Sequence, residues 1–240
     1  MVVDLSKFAT SLVLSERKDP KVTISKDHAS FTVGTQTMSL SKLREGLKEL
    51  IDRAWKTYHA ITQRKLAVEQ GMQAILDDTS NDSRGYSFLD EKPFCERQCT
   101  MFYHLVKTYQ LASIDSRGML CWDIPQVKLL LEKCERLWDS ALHLLFITLG
   151  ISTRVAQFIR LQIRNGDRQR NLQFWNGEMY FMTRDGKMSN ASGKDSCTPS
   201  FPPSQVSSIL LELIGGGLRE AEAILVGVVY GDEAMELHRT

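Results

Sequence analysis

Long apolar runs are missing from this chain. No stretch of about 18 apolar residues occurs, so no candidate membrane span is expected. Charge of one sign is missing too. Thirty Lys and Arg against 29 Asp and Glu leave a net +1, which gives no overall electrostatic signal. A protein that grips nucleic acid carries its charge locally, so the distribution matters more than the sum. Cysteine is scarce, odd in number and scattered, at Cys95, Cys99, Cys121, Cys134 and Cys197. That pattern excludes a secreted disulfide framework and points to a reducing compartment. The opening Met1-Val2-Val3-Asp4-Leu5-Ser6-Lys7 has no charged lead before an apolar run, so no signal peptide is expected. The expected location is the nucleus or the cytoplasm.

Catalytic signatures are absent as well. There is no His–Asp–Ser order, paired-carboxylate motif or His-Glu-x-x-His string. Gly215-Gly216-Gly217 lacks the Lys-Ser/Thr of a phosphate loop, and helicase motifs are missing, so no nucleotide cofactor is expected. Cys95, Cys99 and His104 share one predicted helix. A zinc site would need a fourth ligand and usually tighter Cys-x-x-Cys spacing, so no metal is expected either. His59 and His143 lie within helical patterns and read as core or boundary residues rather than bases.

What is present is ordinary globular material. The chain has 240 residues, 42% hydrophobic and 25% charged, enough for one or two domains. Val22, Ile24, Phe31 and Val33 alternate around Asp27-His28 and predict a small β-hairpin, with Gly34-Thr35 closing it. Leu43, Leu47, Leu50, Ile51, Ala54, Trp55, Tyr58 and Ile61 recur every three or four residues. They predict one face of a long helix reaching toward Gly71, with Ser39 or Ser41 as its cap. Residues 77–93, rich in Asp, Ser, Asn and Gly, read as a linker. A helix is predicted from about Phe94 to Leu111, then a turn around Arg117-Gly118.

Asp123 before Pro125 predicts a helix start. The following stripe is Val127, Leu130, Leu131, Cys134, Leu137, Trp138, Ala141, Leu142, Leu145, Phe146 and Leu149, ended by Gly150. Leu172, Phe174, Met179 and Phe181 flank Asn176-Gly177, a type I′ signal because both central residues take positive φ. A second turn at Asp185-Gly186 extends this to a three-stranded meander. Pro199, Pro202 and Pro203 interrupt the chain. Ser204 opens a helix carrying Val206, Ile209, Leu210 and Leu213, which the glycine triplet stops; a last amphipathic stretch follows.

The positive charge is concentrated. Between residues 154 and 194 stand eight basic residues: Arg154, Arg160, Arg164, Arg168, Arg170, Arg184, Lys187 and Lys194. Only Asp167, Glu178 and Asp185 oppose them, and from Asp195 onward seven acids face two bases. Arginine's planar fork suits phosphate, so Arg160, Arg164, Arg168, Arg170, Arg184 and Lys194 are expected to contact a nucleic-acid backbone. A helix and hairpin that merely solvate their outer faces would look the same in composition.

The order of these features resembles a known family. Gly85-Tyr86-Ser87-Phe88-Leu89, Leu144-Leu145-Phe146-Ile147-Thr148-Leu149-Gly150, and Thr153-Arg154 with Gln157 and Leu161 carry the likeness. So do Asn165, Arg170-Asn171, the Asn176-Gly177 hairpin and Lys187, with the Val22–Val33 hairpin and Ser41-Lys42-Leu43-Arg44 upstream. Together they are similar to fungal transposon-derived proteins with a tyrosine-recombinase-like domain, related to Crypton elements and associated with RecQ-type telomere-linked helicases. The resemblance covers roughly residues 20–225. It implies DNA as a partner, a RecQ-type helicase as a second one, and catalytic roles for Arg154 and Lys187. The arginine would offset charge on a scissile phosphate and the lysine would protonate the leaving oxygen; fixed cations of this kind are a large part of phosphoryl-transfer catalysis.

The chain departs from that family. Gln157 stands where members carry an acid, His238-Arg239 has the wrong spacing for His-x-x-Arg, and Tyr230 precedes any such motif. Strand transfer by this chain alone is therefore not expected. The expected fold is mainly α with a small antiparallel β-sheet, two-lobed and tyrosine-recombinase-like. Residues 1–111 form a helical N-terminal lobe, and 112–240 an incomplete catalytic lobe. The expected function is that of a DNA-binding remnant or fragment of a mobile-element recombinase. The alternative is a structural or protein-interaction module of a helicase-linked protein without nucleic-acid binding.

Overall fold

A computed structural model describes residues 22–63, 75–91, 94–149, 161–185 and 196–239. The protein is mainly α, with small antiparallel sheets. It divides into two compact units, Met1–Arg53 and Ala54–Thr240, rather than near residue 111.

In the first unit, β1 (Val22–Ile24), β2 (Ser30–Val33) and β3 (Gln36–Ser39) form an antiparallel meander. The expected hairpin is there, turned by His28 (φ +54°), and a third strand is added after Gly34 (φ +59°). The polar string Gln36-Thr37-Met38-Ser39 gave no strand signal. Its register explains why it belongs. Thr23, Thr32 and Thr37 stand opposite one another, and the Thr32 and Thr37 hydroxyls bond at 2.8 Å. Directly opposed residues share a face, so Val22, Ile24, Phe31, Val33 and Met38 line the other side. Val22 and Ile24 are 58% and 63% exposed there.

Helix α1 (Leu40–Thr62) crosses from the first unit into the second. Ser39 and Ser41 bond to one another through their hydroxyls at 2.6 Å, and the Leu40 N–H reaches Ala29 O at 2.8 Å. The helix closes at Thr62, short of Gly71, because Gln63 takes a left-handed φ of +47°. Orphan carbonyls at a helix end need partners. Here Tyr109 Oη donates to Ala60 O (3.1 Å) and Ile61 O (2.8 Å), and His104 Nε2 donates to Thr62 O (2.6 Å).

The second unit continues with α2 (Phe94–Tyr109) and a hairpin of β4 (Ala112–Ile114) and β5 (Leu120–Trp122) about the expected Arg117-Gly118 turn. Helix α3 (Ile124–Thr148) starts as read: Asp123 Oδ1 accepts the Gln126 N–H at 3.1 Å, and Pro125 sits in the first turn. Val127, Leu130, Cys134, Leu137, Ala141, Leu144 and Leu145 are buried. The helix turns slightly away from the expected stripe: Leu144 enters the core, while Leu142 and Phe146 remain exposed.

Strands β6 (Leu172–Trp175), β7 (Glu178–Asp185) and β8 (Ser196–Ser200) make the expected meander. Asn176 (φ +50°) and Gly177 (φ +79°) form its first turn, as type I′ requires. Helices α4 (Ser204–Gly215), α5 (Leu218–Tyr230) and α6 (Asp232–Arg239) complete the unit. The last amphipathic stretch is thus two helices, broken at Gly231 (φ +95°). Among the described residues, no helix is long and apolar enough to cross a membrane.

The segment read as a linker is not one. The Asp77 side chain is sealed from solvent, and Ser87, Phe88 and Leu89 are buried. Phe88 packs edge-on against Phe94 (5.8 Å between ring centroids) and Phe174 (4.8 Å). Its polar composition serves side-chain-to-backbone bonding rather than solvation.

The end of α4 shows how closely the unit is packed. A Cβ added at Gly215 would lie 2.6 Å from Phe94 Cε1. We therefore expect Gly215→Ala to destabilise the protein by about 1–3 kcal/mol. Pairing it with Phe94→Leu should cost less than the two single effects combined. Thermal unfolding of the three variants checks this, and strict additivity would contradict the close contact.

Candidate functional site

The loop before β6 delivers Arg170 into the interior. Its residue is 1% exposed and its side chain is fully enclosed. Asp77 neutralises it: Arg170 Nη2 donates to Asp77 Oδ1, and Asp77 Oδ2 accepts the Phe174 N–H at 2.9 Å. Asn165 Oδ1 accepts from Arg170 N (2.9 Å) and Nη1 (3.2 Å). Asn165 Nδ2 donates in turn to Asn81 O (2.8 Å) and Ser83 O (3.1 Å). The Tyr86 ring lies 4.8 Å from the guanidinium carbon, within cation–π range. Among the described residues, Arg170 Nε has no hydrogen-bond partner.

Around this pair the backbone is tied by further bonds. Gly85 N donates to Asn165 O at 2.7 Å, and Asn165 N to Tyr86 O at 3.0 Å. Gly85 carries φ +85°, a left-handed value that favours glycine. Asn171 Nδ2 donates to Met182 O at 2.7 Å, joining the loop to β7. Tyr180 Oη donates to Gln173 Oε1 at 2.5 Å, and Gln173 Nε2 to Arg170 O at 3.3 Å. Burial, with the Asp77 charge second, pushes the Tyr180 hydroxyl above its ordinary range, while Arg170 partly opposes this. Gly85, Tyr86, Asn165, Arg170 and Asn171 thus come together with Gln173 and Phe174 of β6 in one clasp.

The expected phosphate contacts fare unequally. Arg170 is not at the surface, which corrects its reading as a nucleic-acid contact: burial opposite a carboxylate makes it a framework residue. Arg164 is also largely engaged, since its Nη1 donates to Asp90 Oδ2 (2.8 Å) and Gly85 O (3.1 Å). Arg168 is exposed. Asp167 beside it meets Arg84 at 3.7 Å in a solvent-exposed pair. Arg184 lies on β7, with its side chain outside the described part. Arg154, Arg160, Lys187 and Lys194, and with them the expected catalytic pair, lie outside the described residues.

The remaining candidates are placed as follows. His59 and His143 are exposed rather than core or boundary residues; His59 stacks on Trp55, and His143 Nδ1 meets Asp139 O at 2.6 Å. Cys95 is half-buried and the Cys99 side chain is outside the described part. Among the described residues, no group of three or more His, Cys, Asp or Glu could hold a metal. Tyr230 is exposed, with Lys128 Nζ 6.0 Å from its ring centroid.

A second polar cluster escaped the sequence reading. Glu222 of α5 is buried, yet its Oε2 accepts from Trp138 Nε1 of α3 at 2.6 Å and lies 3.8 Å from His238 Nε2 of α6. Arg219 Nη1 is 2.8 Å from the same His238 nitrogen, and its guanidinium stacks 5.4 Å from the Trp138 ring. Burial lowers the Arg219 pKa from its ordinary value, and Glu222 offsets part of the effect. The signal existed: Glu222 follows Leu218 by four residues and precedes Leu225 by three, on an otherwise apolar face.

No family model matches the chain, and no curated protein or solved structure is found to be similar to it.

Asp77→Ala leaves the buried Arg170 charge unpaired and should cost about 3–5 kcal/mol. The double variant Asp77→Leu with Arg170→Met removes both charges and should lose less than Asp77→Ala alone. Urea unfolding measures both; an equal or larger loss in the double variant would contradict the pairing.

Cys134 is buried on the inner face of α3. Its thiol is held well above the usual range, first by burial and then by Glu222. A raised native thiol pKa contributes stability below the unfolded thiol's range and loses it as pH rises through and beyond that range. Iodoacetamide should label exposed Cys121 and Cys197 quickly and Cys134 only on unfolding. Mass spectrometry reads the order, and early labelling of Cys134 would contradict its burial.

Proposed function

We propose that this chain is a DNA-binding remnant or fragment of a tyrosine-recombinase-like protein, unable to transfer strands alone. The contact would run through the basic segment from Arg154 to Lys194. The observation that carries the reading is the imbalance of that segment, eight bases against three acids in a chain of net +1. Arg170 and Arg164 hold the framework through Asp77 and Asp90 and would not take part in that contact. Arg168, exposed in the loop before β6, is the described member best placed to meet phosphate. The clasp supports the β6–β7 hairpin, whose second strand carries Arg184 and leads toward Lys187. A rigid mount of this kind suits cations that must meet phosphate at fixed positions. The two-lobed recombinase architecture and a RecQ-type helicase as partner belong to the same proposal.

A second reading is favoured by one specific observation. The β4–β5 hairpin displays Ile114, Met119 and Leu120, all more than half exposed. Ordered apolar groups at the surface suit a protein contact, and together with the internal pairing of Arg164 and Arg170 they fit an interaction module.

A single titration separates the two. Binding to a fluorescent duplex should weaken by about a hundredfold or more between about 50 and 200 mM salt if several phosphates are neutralised. Arg168→Glu should weaken it further without changing the melting temperature. No binding at low salt, or affinity that ignores salt, would leave the interaction module.

A further inference from the structure

The β4–β5 hairpin is exposed from Ser113 to Cys121, and its sheet has two strands. Two strands alone are marginal without a further strand or a packed face. The phase of the ladder shows which backbone groups are spare. Asp123 N donates to Leu111 O at 2.8 Å, and Asp115 N to Met119 O at 2.9 Å. Bonded pairs alternate along an antiparallel ladder, so Ser113 and Cys121, midway between those two pairs, turn their groups toward one another. The N–H and C=O groups of Leu120 and Trp122 therefore point away from β4. Among the described residues, β5 has no strand on that side.

That free side is complementary to itself. Laid antiparallel against a second copy about a twofold axis, with Cys121 opposite Cys121, it sets Leu120 opposite Trp122 of the copy and Trp122 opposite the copy's Leu120. Both members of each pair offer outward N–H and C=O groups, so the bonds can be exchanged. A slip of one residue sets outward groups against inward ones and loses them. The side chains agree. Ala112, Ile114, Leu120 and Trp122 share one face, and Ile114 and Leu120 are 73% and 57% exposed. Pairing covers Leu120 with the copy's Trp122 and joins the two apolar faces. The charges agree too. Exposed Arg117 lies at one end of β5 and exposed Asp123 at the other. An antiparallel copy brings each toward the opposite charge, and a parallel strand of the same sequence would bring like toward like. Asp115, on the β4 side of the turn, is engaged within the hairpin, where its Oδ1 accepts the Arg117 and Met119 N–H groups at 2.8 Å.

We propose that the free side of β5 is a self-association edge, at which two copies of this chain join their hairpins into one antiparallel sheet. The inference builds on the reading of this hairpin as a protein-contact surface and assigns a second copy as the partner. It does not depend on nucleic-acid binding.

Sedimentation velocity of the full chain under reducing conditions should show the 27.3 kDa species give way to one of twice that mass as concentration rises into the micromolar range. Leu120→Lys charges the edge at an exposed position. It should raise the dimer dissociation constant about tenfold or more at unchanged melting temperature. Disulfide trapping checks the register without relying on that variant. Facing positions in a ladder bring Cα atoms within disulfide range. Diamide should therefore join the two Cys121 thiols of a dimer, taking up their two hydrogens as one S–S bond forms, and mass spectrometry identifies the linked peptide. Cys197→Ser, which removes another exposed thiol, should leave this link in place. Ser113→Cys in a Cys121→Ser chain should not link, because β4 is turned away from the junction. A dimer that Leu120→Lys leaves intact would overturn the pairing, as would linkage through Cys197 or position 113 in place of Cys121. A chain that stays monomeric would also overturn it, while leaving the hairpin to a different protein and the duplex titration unaffected.

Discussion

The buried pair of Arg170 and Asp77 is the constraint on which the architecture of the larger unit turns. An arginine can lie in a protein interior only if its charge is met and its donors are used. Asp77 meets the charge, Asn165 takes a second nitrogen, and Tyr86 offers its ring face. Those partners come from two stretches of chain, Asp77 and Tyr86 from one and Asn165 from the other. Satisfying one guanidinium therefore fixes the 77–90 segment, the 162–171 loop and the start of β6 in one arrangement. Phe88 then fills the apolar space beside them, between Phe94 and Phe174.

The same unit uses a second buried charge differently. Glu222 is met by an indole N–H and two titratable neighbours rather than by one dedicated cation. Charge in the Arg170 clasp is locked by several short-range bonds and is built for permanence. Charge around Glu222 is instead shared with an indole N–H, and an imidazole and a guanidinium stand beside it.

Local chemistry was legible where neighbours in sequence decide the structure. Asn176-Gly177 demanded two positive φ values and has them. Asp123 and Pro125 marked a helix start, and the spacing from Val127 to Leu145 marked its buried face. Gly215 to Gly217 marked a helix end. Long-range neutralisation was not legible. Asp77 stands in a string of Asp, Ser, Asn and Gly that has the composition of a linker, and nothing nearby reveals that its counter-ion is residue 170. Reading charge by segment also counted Arg164 and Arg170 as surface cations, because sequence does not show which acid folds against which base. The added β3 strand was hidden for a related reason: its Thr37 stands opposite Thr32 of β2, a property of register rather than of one string.

The borders of the β6–β8 sheet carry one more consequence. On its β6 side, the outward Phe174 N–H is taken by the Asp77 carboxylate. On its β8 side stands Pro199, opposite Met182. Met182 turns its N–H and C=O toward Asn171, so the facing position on β8 directs its own groups outward, and proline supplies no donor there. Both margins are therefore blunted against strand addition by a foreign chain. Recognition at this sheet must pass through side chains, and fibre-like growth from it is discouraged by the same two residues.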